Sequence, residues 1–215
     1  YQYYNSQTSS WENSVQYLDS YDAQHNNIQE TSQQWKKNSW RNNFQVLTTF
    51  NSQNRITASV YQEWDTLTNS WKNILKISSI NYGSNGKLSS FTALEWYNNN
   101  WVNSSRTGFT YNSSGFQTMQ LDEEWTGTSW GNSFRSTYTY DAANNLINQT
   151  YEEWDALSAW VIQSKNTFTY DSHNNQISSL HEYLTNNVLT PNSKSEMFYN
   201  CTTVGIPSTF ENNSF

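Results

Sequence analysis

Tyr140-Asp-Ala-Ala-Asn-Asn-Leu-Ile-Asn-Gln-Thr-Tyr-Glu-Glu-Trp154, continuing Asp155-Ala-Leu-Ser-Ala-Trp160-Val-Ile-Gln-Ser-Lys-Asn-Thr-Phe-Thr-Tyr170, reads as turn, strand, turn, strand. The first turn is Tyr140 to Asn145. Asp, Asn or Gly follows the corresponding aromatic in the other repeats, at Asp22, Asn51, Gly83, Asn112 and Asp171. Four residues after the aromatic stand His25, Asn54, Gly86, Gly115, Asn144 and Asn174. These types tolerate positive φ, which a type I turn followed by a left-handed residue demands. Trp, Tyr, Thr and Val between the turns suit strands, and no helical periodicity appears.

The same reading recurs along the chain. Ten of the 11 tryptophans form five couples, Trp35/Trp40, Trp64/Trp71, Trp96/Trp101, Trp125/Trp130 and Trp154/Trp160. About ten residues after each second Trp comes Phe50, Tyr82, Tyr111, Tyr140 or Tyr170, and Trp11 to Tyr21 repeats the step. From Tyr21 onward the members of this series are 29, 32, 29, 29 and 30 residues apart. A fixed period of this length is the signature of an array. The expected fold is all-β, an up-and-down antiparallel meander of about 14 strands built from tandem hairpins of about 29 residues. Sheets of that size rarely stay open and flat, so the expected form is a curled, spiral sheet, with a closed barrel as the alternative. The repeat domain covers 1–199 in units of about 1–20, 21–49, 50–81, 82–110, 111–139, 140–169 and 170–199, and 200–215 reads as a C-terminal linker or tail. Pro191 falls in the last strand, where only an edge position suits it.

Alternation then assigns faces. Counting from the second Trp, step four holds Val15, Phe44, Leu75 and Phe134, and step eight holds Phe109, Tyr138 and Phe168. Step five is basic in Lys76, Arg106, Arg135 and Lys165, and Glu63, Glu95, Glu124 and Glu153 precede the first Trp. Unbroken alternation puts the step-four and step-eight residues on the Trp face, turned inward, and the charges on a polar outer face.

Composition narrows the function classes. The chain has 215 residues, 17% aromatic and 13% charged, and a net charge of −7. Aromatics at fixed intervals argue against disorder. The acidic balance argues against nucleic acid, and no apolar stretch is long enough to span a bilayer as a helix. Cys201 stands alone, so no intramolecular disulfide is expected. No basic and apolar leader opens the sequence, so any signal peptide is expected to be absent from it.

The Tyr-Asp-x-x-Asn-Asn turns resemble the YD/RHS-type repeats of bacterial surface and toxin-shell proteins. The Glu-Trp-Asp…Trp block and the abundance of Asn are similar to repeat regions of secreted Bacteroidota proteins. The closing Val204-Gly-Ile-Pro-Ser-Thr-Phe-Glu-Asn-Asn-Ser-Phe resembles the linker before a type IX secretion sorting domain. Half the units lack Asp after the aromatic, and Asn often replaces the usual Gly. The resemblance implies a secreted or cell-surface sheet that wraps or displays something, with no catalytic residues.

Chemistry demands a unique constellation, and this chain repeats its residues. Paired carboxylates could serve glycoside hydrolysis, yet the Glu column recurs in register beside Arg41 and Lys72, where cross-strand ion pairing explains it. A glycan-active hydrolase is therefore the weakest reading. His25, His173 and His181 are too scattered for a metal, and no Asp-x-Asp-x-Asp-Gly spacing marks a Ca²⁺ loop. No cofactor is expected. What remains is an aromatic platform: Trp35, Trp40, Trp64, Trp71, Trp96, Trp101, Trp125, Trp130, Trp154 and Trp160, with Asn42, Asn73, Asn103 and Asn132 two residues past the second Trp. Flat rings beside amides suit sugars, whereas a core role for the same rings is the blander reading and the favoured one. The expectation is a non-enzymatic, secreted or cell-surface structural and adhesive module, with a carbohydrate-binding module as the alternative. Its partners are then polysaccharide, other surface proteins or further copies of itself.

Overall fold

Every regular element in the computed structural model is a β-strand, among the residues it describes: 1–7, 9–199 and 213–214. The chain divides into two compact units, Tyr1–Arg106 and Thr107–Phe215. The first holds β1 (Gln2–Asn5), β2 (Ser10–Asn13), β3 (Val15–Tyr21), β4 (Asn27–Lys36) and β5 (Ser39–Phe50). It continues with β6 (Ile56–Asp65), β7 (Ser70–Tyr82) and β8 (Leu88–Tyr97), and β9 (Asn100–Tyr111) carries the boundary. The second holds β10 (Gln117–Trp125), β11 (Trp130–Tyr140), β12 (Leu146–Trp154), β13 (Trp160–Tyr170), β14 (Gln176–Thr185), β15 (Val188–Glu196) and β16 (Asn213–Ser214).

Strand order follows sequence order from β3 to β16, and β1 pairs with β2 in a small separate ladder. The expected meander is therefore what forms. The order is linear and does not return to its start, so the barrel alternative is not adopted. Cys201 and the linker-like stretch from Val204 lie outside the described residues, apart from the short pairing of Asn213 and Ser214 with β15. Among the described residues no helix is long and apolar enough to cross a membrane.

The long turns obey their chemistry. All six residues four positions after the aromatic have positive φ: His25 at 63°, Asn54 at 56°, Gly86 at 77°, Gly115 at 83°, Asn144 at 67° and Asn174 at 64°. Asp141 shows why its position matters. One carboxylate oxygen accepts the backbone N–H groups of Ala143 and Asn145 at 2.9 and 2.8 Å, and the other accepts the Asn145 amide at 3.0 Å. Asp22 and Asp171 do the same for their turns. Neighbouring turns are stitched together: Asn26 donates to Asn54 at 3.1 Å and Asn145 to Asn174 at 2.9 Å. The Tyr series adds a second stitch, since the Tyr140 and Tyr170 hydroxyls donate to the Gln117 and Leu146 carbonyls at 2.9 Å. Burial raises the pKa of both phenols above the ordinary tyrosine value. Asn144→Val, which forces a β-branched side chain into the left-handed region, should cost about 1–2 kcal/mol. Asn144→Gly should be near neutral, and a urea titration of both variants checks the contrast.

One insertion shows how the register tolerates variation. Trp71 to Tyr82 spans eleven residues where the other units use ten. The additional residue is absorbed inside β7, where the register jumps between Ser78 and Asn81 and Ser79 takes φ of 50°. A bulge takes up the slack without shifting the aromatic series.

The face assignment made from alternation needs correcting. Three residues after Trp40, Trp71, Trp130 and Trp160, one residue is skipped in the pairing: Asn43 in β5, Ile74 in β7, Ser133 in β11 and Gln163 in β13. Beyond the skip, parity reverses. Phe44 lies opposite Ser32 and Glu63, whereas Trp40 and Asn42 lie opposite Trp35 and Gln33. Phe44, Leu75 and Phe134 therefore occupy the face away from the indoles, and Lys76, Arg135 and Lys165 share the indole face. The aromatic residues are divided between both sides of the sheet. On the far side, Phe44 meets Tyr61 at 6.0 Å and Phe134 meets Tyr151 at 5.8 Å.

The expected inward aromatic core is replaced by a polar mid-strand belt. In the first unit Thr31, Ser32, Gln45 and Ser59 are buried with Ala93, and in the second Thr107, Asp122 and Glu152 are buried. Buried polar groups are stable only when hydrogen-bonded. Thr107 accordingly donates to Asp122, whose other oxygen accepts Gln120 at 2.8 Å.

Candidate functional site

The short turns place the tryptophans. Lys37 and Asn38, Asn98 and Asn99, and Asn186 and Asn187 have positive φ at both central positions. That is the two-residue turn whose twist matches paired strands. Longer short-end loops instead use an Asp: Asp65 accepts the Leu67 N–H, and Asp155 accepts those of Leu157 and Ala159. Either device leaves the two Trp positions facing each other. Trp35, Trp64, Trp125 and Trp154 are direct partners of Trp40, Trp71, Trp130 and Trp160.

The ring geometry is nearly constant. Centroid separations are 5.1, 5.0, 4.9, 5.0 and 5.0 Å along the chain, with interplanar angles of 64–73°. This edge-to-face contact sets the positive rim of one ring against the negative face of the other. Tyr4 and Trp11 form a sixth, related couple at 5.5 Å. All ten coupled indoles are half-buried, neither sealed in a core nor fully exposed. Asn42, Asn73, Asn103 and Asn132 are half-buried as well. Pairing places Asn42, Asn73 and Asn132 on the indole face, opposite Gln33, Gln62 and Glu123.

Sequence reading missed what runs beside the indoles. In the first unit Gln16 donates to Gln33 and Gln33 to Asn42, both at 2.7 Å. Gln45 donates to Gln62, and Gln62 to Asn73 at 2.7 Å. Every N–H in these two runs points the same way along the sheet. In the second unit ionised groups take the equivalent place. Arg135 donates to both oxygens of Glu152 at 2.7 and 2.9 Å, and its guanidinium lies 4.5 Å from the Trp160 ring centroid. The Glu152 hydrogen bonds raise the Arg135 pKa, against a smaller opposing effect of burial. Gln two residues before the first Trp, at Gln33 and Gln62, was the available signal. The bulge concealed the rest of the row, because alternation alone set Arg135 on the wrong face.

The Glu column behaves differently from its expected ion pairing. Glu63, Glu95, Glu124 and Glu153 are exposed. Ser104 donates to Glu95 at 2.8 Å and Ser133, a bulge residue, to Glu124 at 3.1 Å. Lys72 turns instead to Asp65 at 2.7 Å. His25 and His173 lie in long turns, and His181 makes a ring contact with Tyr183 at 4.3 Å. Among the described residues no three His, Cys, Asp or Glu side chains are grouped as metal ligands.

Turn carboxylates set the acid response. The Asn26, Asn145 and Asn175 side chains, followed by backbone N–H groups, lower the pKa of Asp22, Asp141 and Asp171. Lys72, then Thr68, lowers that of Asp65. A pKa lower in the folded than in the unfolded chain gives stabilisation that is complete above the unfolded value, about 4. It is lost as pH falls through the folded values. Stability should therefore decline below about pH 4. Asn already serves this position in two units, where Asn51 and Asn112 accept backbone N–H groups from Arg55 and Phe116. Replacing Asp22, Asp141 and Asp171 together by Asn should flatten the acid limb of an indole-fluorescence titration. An unchanged limb would show that the turns do not control it.

No protein-family model matches the chain, and no curated protein does. Several solved structures are similar to it at low superposition scores. A DUF3836 family protein from Bacteroides vulgatus is 19% identical, with 41% of this chain and 89% of that one covered at a TM-score of 0.36. One from Parabacteroides distasonis is 26% identical, covering 38% and 79% at 0.32. The TcdB2-TccC3 structure is 14% identical, covering 84% of this chain but 11% of that one, at 0.46.

Proposed function

We propose that this chain is a structural and adhesive module of a secreted or cell-surface protein, and that it works without catalysis. One observation carries the reading: the most distinctive side-chain arrangement recurs five times with centroid distances of 4.9–5.1 Å. Catalysis needs one constellation of nucleophile, acid and base converging on one point. A recurring row instead multiplies weak contacts, which raises avidity without any new interaction. The acidic balance of the chain, −7, favours partners other than nucleic acid. Other surface proteins and further copies of the chain are the protein partners such a module would take.

Excising one hairpin tests this. Removal of residues 140–169 joins two equivalent long turns and should keep a strand-rich far-UV spectrum, with surface retention falling only in part. Complete loss of a measurable activity on removal of one hairpin, with none on removal of any other, would establish a unique site and sink the proposal.

Carbohydrate binding is the second reading. It is favoured by half-buried indoles beside amides on one face, since flat rings stack on sugars while amides meet hydroxyls.

A further inference from the structure

The two units present the same indole couples beside different polar rows, and the difference selects a ligand. We infer that the first unit, over β4–β9, binds a single soluble chain of an uncharged, extended β-1,4-linked polysaccharide lying across the strands. This rests on the carbohydrate-binding reading and deepens it.

Three features support the assignment. Spacing comes first. Trp35/Trp40, Trp64/Trp71 and Trp96/Trp101 sit on successive hairpins, two strands apart in the sheet order. Two strand spacings amount to about 9.5 Å. An extended β-1,4-linked chain presents the same sugar face every second residue, at nearly this interval. Successive couples would thus meet equivalent faces of alternate sugars.

Charge comes second. Beside these couples the first unit places the neutral Gln33, Asn42, Gln62 and Asn73, with Gln45 and then Lys76 farther along the indole face. A primary amide has two N–H donors and two acceptor lone pairs, and the row spends one donor of each Gln on the next residue. The remainder suits hydroxyls, which both donate and accept. In the second unit the row holds Glu123, Asn132 and Glu152, with Arg135 and Lys165 farther along the indole face. Arg135 already lies over Trp160 and is committed to Glu152. That row would have to surrender an ion pair to admit a neutral sugar.

Twist comes third. Neighbouring strands rotate by about 20–25°, so adjacent couples differ in direction by about 40–50°. A flat crystalline surface cannot follow that rotation, whereas a lone chain in solution can.

Affinity electrophoresis of the whole chain through gels containing hydroxyethylcellulose, soluble β-1,4-mannan or polygalacturonate tests the inference, alongside pull-down on crystalline cellulose. The expected result is retardation by a neutral β-1,4-linked polymer, with no retention by polygalacturonate or crystalline cellulose. Trp64→Ala should weaken retardation at least about fivefold, the scale of one lost aromatic contact. Asn73→Leu should weaken it too, and this variant carries the test if Trp64→Ala does not fold. Preference for polygalacturonate, or binding that survives Trp64→Ala but not Trp154→Ala, overturns the assignment while leaving an adhesive module intact. Absence of retardation by every polymer overturns both the inference and the carbohydrate reading. The structural and adhesive reading then stands or falls on the hairpin excision alone.

Discussion

Trp64→Ala lowers the free energy of unfolding by about 2–3 kcal/mol, below the 3–5 usual for a fully buried Trp because this indole is only half-buried. The loss has two parts. Part is apolar area returned to water, and part is the edge-to-face contact with Trp71 at 5.0 Å and 73°. A double-mutant cycle with Trp71→Ala separates them, and the coupling should be about 0.5–1.5 kcal/mol. Denaturant titration followed by the remaining indoles supplies the numbers. A coupling near zero would mean that the two rings are neighbours without being partners.

Glu152→Ala is the harsher test. It removes the carboxylate whose two oxygens accept from the Arg135 guanidinium at 2.7 and 2.9 Å. Breaking a largely desolvated ion pair from one side costs on the order of 3 kcal/mol. The expected outcome is a loss of about that size in a urea titration, and a loss below about 1 kcal/mol would mean that the pair behaves as a solvated surface pair. Deletion of Ser133 should be mild by comparison. That residue is the one skipped where β11 pairs with β10. Without it Asn132 and Phe134 become neighbours, and regular alternation keeps Phe134 off the indole face and Arg135 beside Glu152. The deletion removes the bulge and one exposed hydrogen bond at 3.1 Å. If it unfolds the second unit instead, the strand needs the bulge for more than the parity it sets.

The period, the hairpins and their turns were legible from the amino acids alone because each rests on local physics. A left-handed backbone at position four of the long turn favours Asn or Gly, and even His25 in that column takes φ of 63°. Trp partners were equally readable, since a short turn fixes which residues face each other. Asn42, Asn73 and Asn132 were placed on the correct face because they lie between the turn and the bulge. Everything beyond the bulge was misplaced.

The skipped position carries Asn43, Ile74, Ser133 or Gln163, which share neither size, polarity nor backbone preference. A bulge is a property of two strands in register, chosen by what the pair buries and bonds, and one strand read alone carries no mark of it. The repeat, its turns and the indole couples thus follow from sequence-local geometry. Which residues beyond the bulge stand beside the indoles, Gln45 and Lys76 in the first unit and Arg135 and Lys165 in the second, was decided only when the strands paired.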